Sequence, residues 1–505
     1  MKRIHCGLIA LIVLTSGAAG AAPKVKLSQN TDHPQANDKV SGSGFDPYRA
    51  IDIYWDTTDI LLATTNGNGV FAPVKFTVPS DALPGEHWIS AVERYSGTAA
   101  QALFTVNTDW AQRGFDVGGT RYNPWENVIS PDNVDKLDVA WTYTTKNTVS
   151  SSAAVANGTV YIGSNDANLY ALDAVTGSLK WSLALDGPID LSSPAVANGT
   201  VYIGTTGGTL YAIDAAAGVP KWGHSTGYVI ESSPTVSNGM VYFGANDGYL
   251  YALDATTGNT VWVVPTVVNA AIDGAPAIGK GYGGNNIVYI GSGDDVCCSK
   301  PRIYAFDALT GTQLWYYPTS RAVLASPAVS NGKVYIGSFD HYLYTIDARS
   351  GSLRCDTDFG AELYASPAVA RGIVYVAGLD GRLTAASFYP PGIPSCMPAY
   401  WQFNNYYSIG SPAVADGVVY FGSSSGSVAA LSAGKEGGSY LWSSSTGGVV
   451  SSPAVANGML YVGSSDRNVY AYALNGGKNA VYKRKHTPPP RFSELQPNFN
   501  LHVSR

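Results

Sequence analysis

Charge is scarce in this chain: Asp, Glu, Lys and Arg make up 13% of its 505 residues, and 37 acidic against 31 basic side chains leave a net charge of −6. That balance gives no basic footprint for nucleic acid. Sulfur is scarcer still, with five Cys and four Met. None of the cysteines sits in a C-x-x-C-H haem-attachment run or a zinc-ligand spacing. The six histidines beyond residue 21 form no His pair or Ser-His-Asp arrangement that stands out. The apolar run Gly7 to Leu14 is too short to span a bilayer in a mature protein, so no membrane span is expected. What the chain has in quantity is Gly (56) and Tyr (33). Such a composition is globular, β-rich and turn-rich, neither disordered nor helical, and the length is ample for a large core.

One short phrase, V-Y-I-G or a variant, recurs with its tyrosine at Tyr161, Tyr202, Tyr242, Tyr289, Tyr335, Tyr375, Tyr420 and Tyr461, in steps of 41, 40, 47, 46, 40, 45 and 41 residues. A period near forty with four strand-like pieces per period is the pattern of a radial β array. The repeat Ser193 to Trp222 reads as four strands. The first carries S-P-A-V; an Asn-Gly pair follows, suited to a type I′ turn because both central residues need positive φ. V-Y-I-G is the second strand and L-Y-A-L-D the third. D-A-x-T-G forms a longer hairpin with a left-handed Gly, and the fourth strand carries a Trp (Trp181, Trp222, Trp262, Trp315, Trp442). These rings read as packing between neighbouring blades rather than as a substrate groove. Trp141 occupies a fourth-strand position before any first strand has occurred. The economical reading is ring closure in an eighth blade, with Tyr482 the rival for that slot. Closure also removes exposed sheet edges.

Residues 1–21 read as a signal peptide: Lys2 and Arg3, the apolar run, then Ala19-Gly20-Ala21 at the cleavage site. Cys6 precedes the apolar run and so is no lipid acceptor. Loss of Lys2 and Arg3 moves the net charge from −6 to −8, and a soluble periplasmic or secreted protein is expected. Residues 22–107 lack the repeat but alternate in the strand manner between Gly, Pro and Asn-Gly punctuation. On S-G-S-G-F and the phrase Val78 to Gly85 they resemble bacterial immunoglobulin-like sandwich modules, which implies a spacer or adhesion unit. Residues 108–482 hold the repeats, and 483–505 read as a basic, Pro-rich solvated tail, with a docking motif as the alternative.

The segment Asp109-Trp110, Gly114, Gly119-Thr120-Arg121-Tyr122, Asn133-Val134, Leu137 and Trp141 resembles the opening of the pyrroloquinoline-quinone (PQQ) propeller family. That family includes quinoprotein alcohol dehydrogenases and non-enzymatic propellers such as an outer-membrane assembly factor. The resemblance implies an all-β fold, an eight-bladed propeller of four-stranded blades behind a small β-sandwich. It also implies two candidate activities. In the dehydrogenases PQQ sits over Ca²⁺, and one ion ligand is the Glu of a G-A-E phrase. The matching phrase here ends in Asn246. A second ligand, the Asn of G-T-G-N, is matched one repeat late by Asp294. No residue matches the catalytic base, and with no haem site any electrons would leave through another protein. Asn246, Asp294, Cys297 and Cys298 are therefore the candidate cofactor contacts, and Asp294 and Asp295 the candidate metal ligands. The favoured reading is a non-catalytic binding or scaffold protein of the cell envelope, taking an unknown protein or small-molecule ligand at the propeller face. The alternative is a PQQ- and Ca²⁺-dependent alcohol or polyol dehydrogenase.

Blade geometry assigns faces. Turns between second and third strands share one face with the blade-to-blade connections; Asn-Gly and D-A-x-T-G turns share the other. Asp190, Glu231, Asp273 and Glu362 lie on connections of the first face, as candidates to hold a hard cation or as ordinary solvated loop charges. The enlarged fourth-repeat turn adds Asp294, Asp295 and the adjacent Cys297-Cys298, which form either a vicinal disulfide or two free thiols. Cys355 and Cys396 fall on the opposite face of neighbouring blades. In an oxidising compartment a bridge between them adds about 3 kcal/mol.

Overall fold

The computed structural model describes residues 22–266, 271–281, 284–293, 301–387 and 397–477. Cys6, Asp294, Asp295, Cys297, Cys298, Cys396, Tyr482 and the basic tail lie outside them. The described chain falls into two compact units, one of residues 22–82 and 86–106, the other of 83–85 and 107 onward.

The first unit has a three-stranded sheet (Lys24–Leu27, Asn37–Ser43, Phe71–Thr77) and a five-stranded one. The latter orders Thr31–Asp32, Ala99–Val106, Gly85–Glu93, Ala50–Trp55 and Thr58–Thr64. Alternation along strands such as Asn37–Ser43 turns one face of each sheet inward. Val40 and Phe76 from one sheet and Ile53, Trp55 and Phe104 from the other fill a single core.

Among the described residues the second unit contains eight four-stranded antiparallel meanders, the seventh extended by the short parallel strand Tyr122–Asn123. Blade 1 runs Ala154–Ala156, Thr159–Gly163, Asn168–Asp173, Leu179–Ala184. Blades 2 to 7 repeat it with first strands Ala195–Ala197, Thr235–Ser237, Ala277–Lys280, Ala328–Ser330, Ala368–Ala370 and Ala413–Ala415. Blade 8 takes Ala454–Ala456, Met459–Gly463 and Asn468–Leu474 from the end of the chain and its fourth strand, Leu137–Thr144, from the beginning. Trp141 stands opposite Ala471, the closure expected from its position in the repeat. The first strands are shorter than expected, because the two residues before them, Ser-Pro in six of the eight blades, lie outside the ladder, to which a proline has no N–H to give.

The tryptophans are packing. Five indole N–H groups donate to the Ala carbonyl of the third-to-fourth-strand hairpin of the next blade: Trp141 to Ala174, Trp181 to Ala215, Trp222 to Ala255, Trp262 to Ala308 and Trp315 to Ala348, at 3.0–3.2 Å, whereas Trp401 and Trp442 donate to the carbonyls of Gly434 and Leu137. The V-Y-I-G tyrosines of the same blades reach the same carbonyls, Tyr202 to Ala255 at 2.8 Å and Tyr461 to Ala174 at 3.1 Å. One oxygen thus uses both lone pairs to tie two rings across the blade interface. The ring face then covers the hairpin glycine. At Gly258, φ is +74° and a Cβ would stand 2.6 Å from Trp222. Gly258→Ala is therefore expected to cost about 2 kcal/mol, from left-handed strain and overpacking together. Denaturant unfolding reads this directly, and an unchanged midpoint would mean that the dock carries no load.

A second device links the blades nearer the axis. In five blades the serine before Pro accepts an amide from the preceding blade: Ser193 from Ser152, Ser233 from Ser193, Ser326 from Ala275, Ser366 from Ser326 and Ser411 from Ser366, at 2.8–3.0 Å.

Candidate functional site: a channel with a closed floor and an acidic mouth

Each first strand pairs on one side only within its blade, so its other edge faces the axis. Asp109–Asn123 runs along these free edges. Trp110 exchanges two hydrogen bonds with Val155 of blade 1 (2.9 and 2.7 Å). The carbonyls of Ala111, Val117, Gly118, Thr120 and Arg121 then accept the amides of Val196, Ile278, Val329, Val369 and Val414 at 2.6–2.9 Å. Asn123 gives its side-chain amide to Val455 of blade 8 at 2.9 Å. One segment therefore touches seven blades and satisfies inner-edge groups that would otherwise be orphaned. Gly118 and Gly119 make the approach possible: a Cβ would lie 2.9 Å from the Val329 carbonyl and 2.6 Å from that of Pro327, respectively. Asp109 caps Asn157, and Thr108 exchanges hydrogen bonds with Asn457, so the segment floors the channel at the Asn-Gly end.

The opposite end is the mouth. There the connection residues Glu231 and Asp273 meet the blade 3 turn at Asn246, whose amide donates to Glu231 at 3.3 Å. This leaves Asn246 Oδ1 and Asp273 Oδ1 as buried acceptors without a donor. Burial, with the Glu231 charge adding to it and the Arg113 guanidinium opposing, pushes the Asp273 carboxyl up to about 6. Arg113 comes from the floor segment, and its buried Nε also lacks a partner. Tyr364, on the connection into blade 6, is raised by burial, and the fields of Arg113, Asp273, Glu231 and Asp190 all bear on it. Asp190 is held at 3.2 Å by Asn165 of the blade 1 turn.

Asn246, Glu231, Asp273 and Asp190 are linked at this mouth by these contacts and fields, while Glu362 is engaged by Arg321. Arg321 takes Glu362 in an ion pair of 2.6 Å and lies over the Phe339 ring. Of the four candidate carboxylates Glu362 is thus charge-paired, and Phe339, under Arg321, lies beside Tyr364 at 6.1 Å. Among the described residues no three His, Cys, Asp or Glu side chains are grouped to hold a metal ion. Sequence reasoning missed Arg113 and Tyr364. Tyr364 was within reach, because L-Y-A-S-P occupies the position of I-E-S-S-P around Glu231. Arg113 was not, because no repeat contains it.

A family model described as outer membrane protein assembly factor BamB (PQQ_2) matches residues 132–228, 190–302, 299–388 and 399–492. The chain belongs to this PQQ-like repeat family. It is also 30% identical over 112 residues to a quinohemoprotein alcohol dehydrogenase of Comamonas testosteroni, a match covering 22% of this chain and 15% of that protein. A 1-butanol dehydrogenase (cytochrome c) of Thauera butanivorans is 31% identical over 81 residues, 16% of this chain and 12% of that one. The chain thus spans less than a sixth of the curated relatives it matches. Among solved structures, BamB of Moraxella catarrhalis superposes with a TM-score of 0.56 at 20% identity, over 67% of this chain and 99% of that chain. The quinohemoprotein alcohol dehydrogenase of Comamonas testosteroni gives 0.60 at 18%, over 73% and 81%. These likenesses establish the propeller fold.

Proposed function

We propose that this protein is an exported, non-catalytic binding propeller of the cell envelope, with residues 22–107 as an immunoglobulin-like spacer, and that its mouth takes a cationic side chain of a partner protein. The observation that carries this reading is the pair of buried acceptors, Asp273 Oδ1 and Asn246 Oδ1, lying without donors beside Glu231. Buried acceptors are costly until a donor arrives, and three carboxylates set the sign of the group that suits them. The floor segment leaves the mouth as the end at which a ligand enters. Family membership, under a description that names an assembly factor, supports a protein partner. Among the described residues no helix is long and apolar enough to cross a membrane.

The described residues fit PQQ poorly. PQQ is a tricarboxylate, and among the described residues Asp190, Glu231 and Asp273 oppose it at this mouth while Arg113 stands in its favour, the Arg321 charge being taken by Glu362. The alternative, a PQQ- and Ca²⁺-dependent alcohol or polyol dehydrogenase, predicts that added PQQ and Ca²⁺ produce a bound chromophore and dye reduction with alcohols.

The test of the binding reading is calorimetric titration with a hexalysine peptide. Wild type is expected to bind in a salt-sensitive manner, and Asp273→Asn about tenfold more weakly, the value of one charge-assisted hydrogen bond. Because the folded Asp273 carboxyl titrates near 6, above its ordinary 3.8, binding should strengthen as pH rises from 5 to 7. The same raised carboxyl makes the empty protein lose stability over that rise, since the folded state there holds a proton that the unfolded chain has released. Equal affinity of wild type and Asp273→Asn, or no binding, would refute this reading.

A further inference from the structure

We infer that the channel floor holds a single monoatomic anion, chloride in ordinary solution, between Arg121 and Arg113. Arg121 is a wholly buried guanidinium, with 1% of its surface exposed. Its Nε donates to the Pro412 carbonyl at 2.9 Å and its Nη1 to the Arg113 carbonyl at 3.2 Å, while Nη2 has no partner. Arg113 Nε is likewise buried and unpartnered. Both arginines line one small cavity at the axis, which has room for a single water-sized species. Two cations therefore border one small cavity, each with a buried N–H left over.

The remaining wall favours an acceptor. Ser326 and Ser366 border the cavity, and each hydroxyl oxygen already accepts an amide, from Ala275 at 2.8 Å and Ser326 at 3.0 Å. Each has its own hydrogen left to donate. Asp116 also borders the cavity, but its carboxylate is occupied by the Thr120 amide at 3.0 Å and the Thr120 hydroxyl at 2.7 Å. It is turned to its own loop, and the charge that bears on Arg121 is that of Arg113, which repels it. A water would satisfy the spare N–H groups yet leave the buried Arg121 guanidinium, which the Arg113 charge opposes, without an anion on its free Nη2, since Asp116 is engaged by Thr120 and the Asp273 charge acts on Arg113. A halide satisfies the same donors and neutralises one charge. The site shares Arg113 with the mouth, so the variant that separates this inference from the proposed function is Ser366→Ala, which leaves Asp273 and Arg113 in place.

Two measurements decide. Crystals grown in sodium bromide are expected to show an anomalous peak in contact with Arg121 Nη2 and Arg113 Nε. Thermal unfolding of the full chain in sodium chloride, against sodium gluconate at equal ionic strength, is expected to raise the propeller midpoint by about 2 °C. Arg121→Gln endangers the fold through the lost Pro412 contact, so Arg113→Gln and Ser366→Ala carry the variant arm, and both should shrink the chloride effect. A featureless anomalous map with equal midpoints would mean water alone and overturn the inference. A chloride effect that persists undiminished in Arg113→Gln would place the ion elsewhere and overturn it too.

Discussion

Trp110→Ala is expected to destabilise the propeller by about 3–5 kcal/mol, the range for removing a large buried aromatic ring. Trp110 is 1% exposed and sits in the cluster that joins blade 8 to blade 1, where Phe115 meets it edge-on at 5.2 Å. Its backbone exchanges two hydrogen bonds with Val155, so the ring anchors the start of the floor segment. Loss of the ring leaves a cavity at the seam between blades 8 and 1, where the two ends of the repeat array close. Urea unfolding followed by fluorescence and by amide exchange at Val155, Val196 and Val329 reads both effects. Protection should fall at all three amides in the variant, because one segment holds them. A loss confined to Val155 would mean that the floor segment is anchored blade by blade, and a cost below 1 kcal/mol would remove Trp110 from its role.

The repeat architecture was legible because it is written eight times. Asn157-Gly158 and its copies take positive φ at both residues, and the hairpin glycines such as Gly177 are left-handed, as the turn chemistry requires. Trp141 was legible as the closing strand because a fourth-strand residue without its first three strands has one economical home. The floor segment was visible only as a family resemblance. Its structural role rests on main-chain hydrogen bonds, which leave no side-chain pattern beyond Gly114, Gly118 and Gly119. The mouth was legible in part. Connection residues could be assigned to a face by topology, but topology does not say which carboxylates converge. That depends on side-chain partners such as Arg321 for Glu362 and Asn165 for Asp190. The fold itself leaves activity open, because quinohemoprotein dehydrogenases and BamB both superpose on it, so function has to be argued from the mouth.

The last strong effect is expected where the packing rule is broken. Cys355 stands at the tryptophan position of blade 5, on Leu353–Asp358, and so no indole is available there to dock on blade 6. The D-A-x-T-G phrase is also missing from blade 6, whose third and fourth strands are joined across the segment that ends in Cys396. Cys355 is disulfide-bonded and 2% exposed. Cys396 lies outside the described residues, but Met397 directly after it packs in the same cluster as Cys355, and Thr345, opposite Cys355 in the sheet, reaches the Met397 sulfur at 3.5 Å. A covalent bond from Cys355 to Cys396 would thus stand in for the missing tryptophan dock, closing 41 residues of chain. Chain entropy puts the stabilisation at about 3–4 kcal/mol. Peptide mapping without reductant is expected to recover residues 355 and 396 joined, and Cys355→Ser to lose that stability while wild type under reductant loses the same amount. Cys396→Ser should match Cys355→Ser and add nothing when combined with it, because the two remove one bond. A peptide joining Cys355 to Cys297 or Cys298, or additive losses in the double variant, would mean that the blade 5 to blade 6 seam is held in some other way.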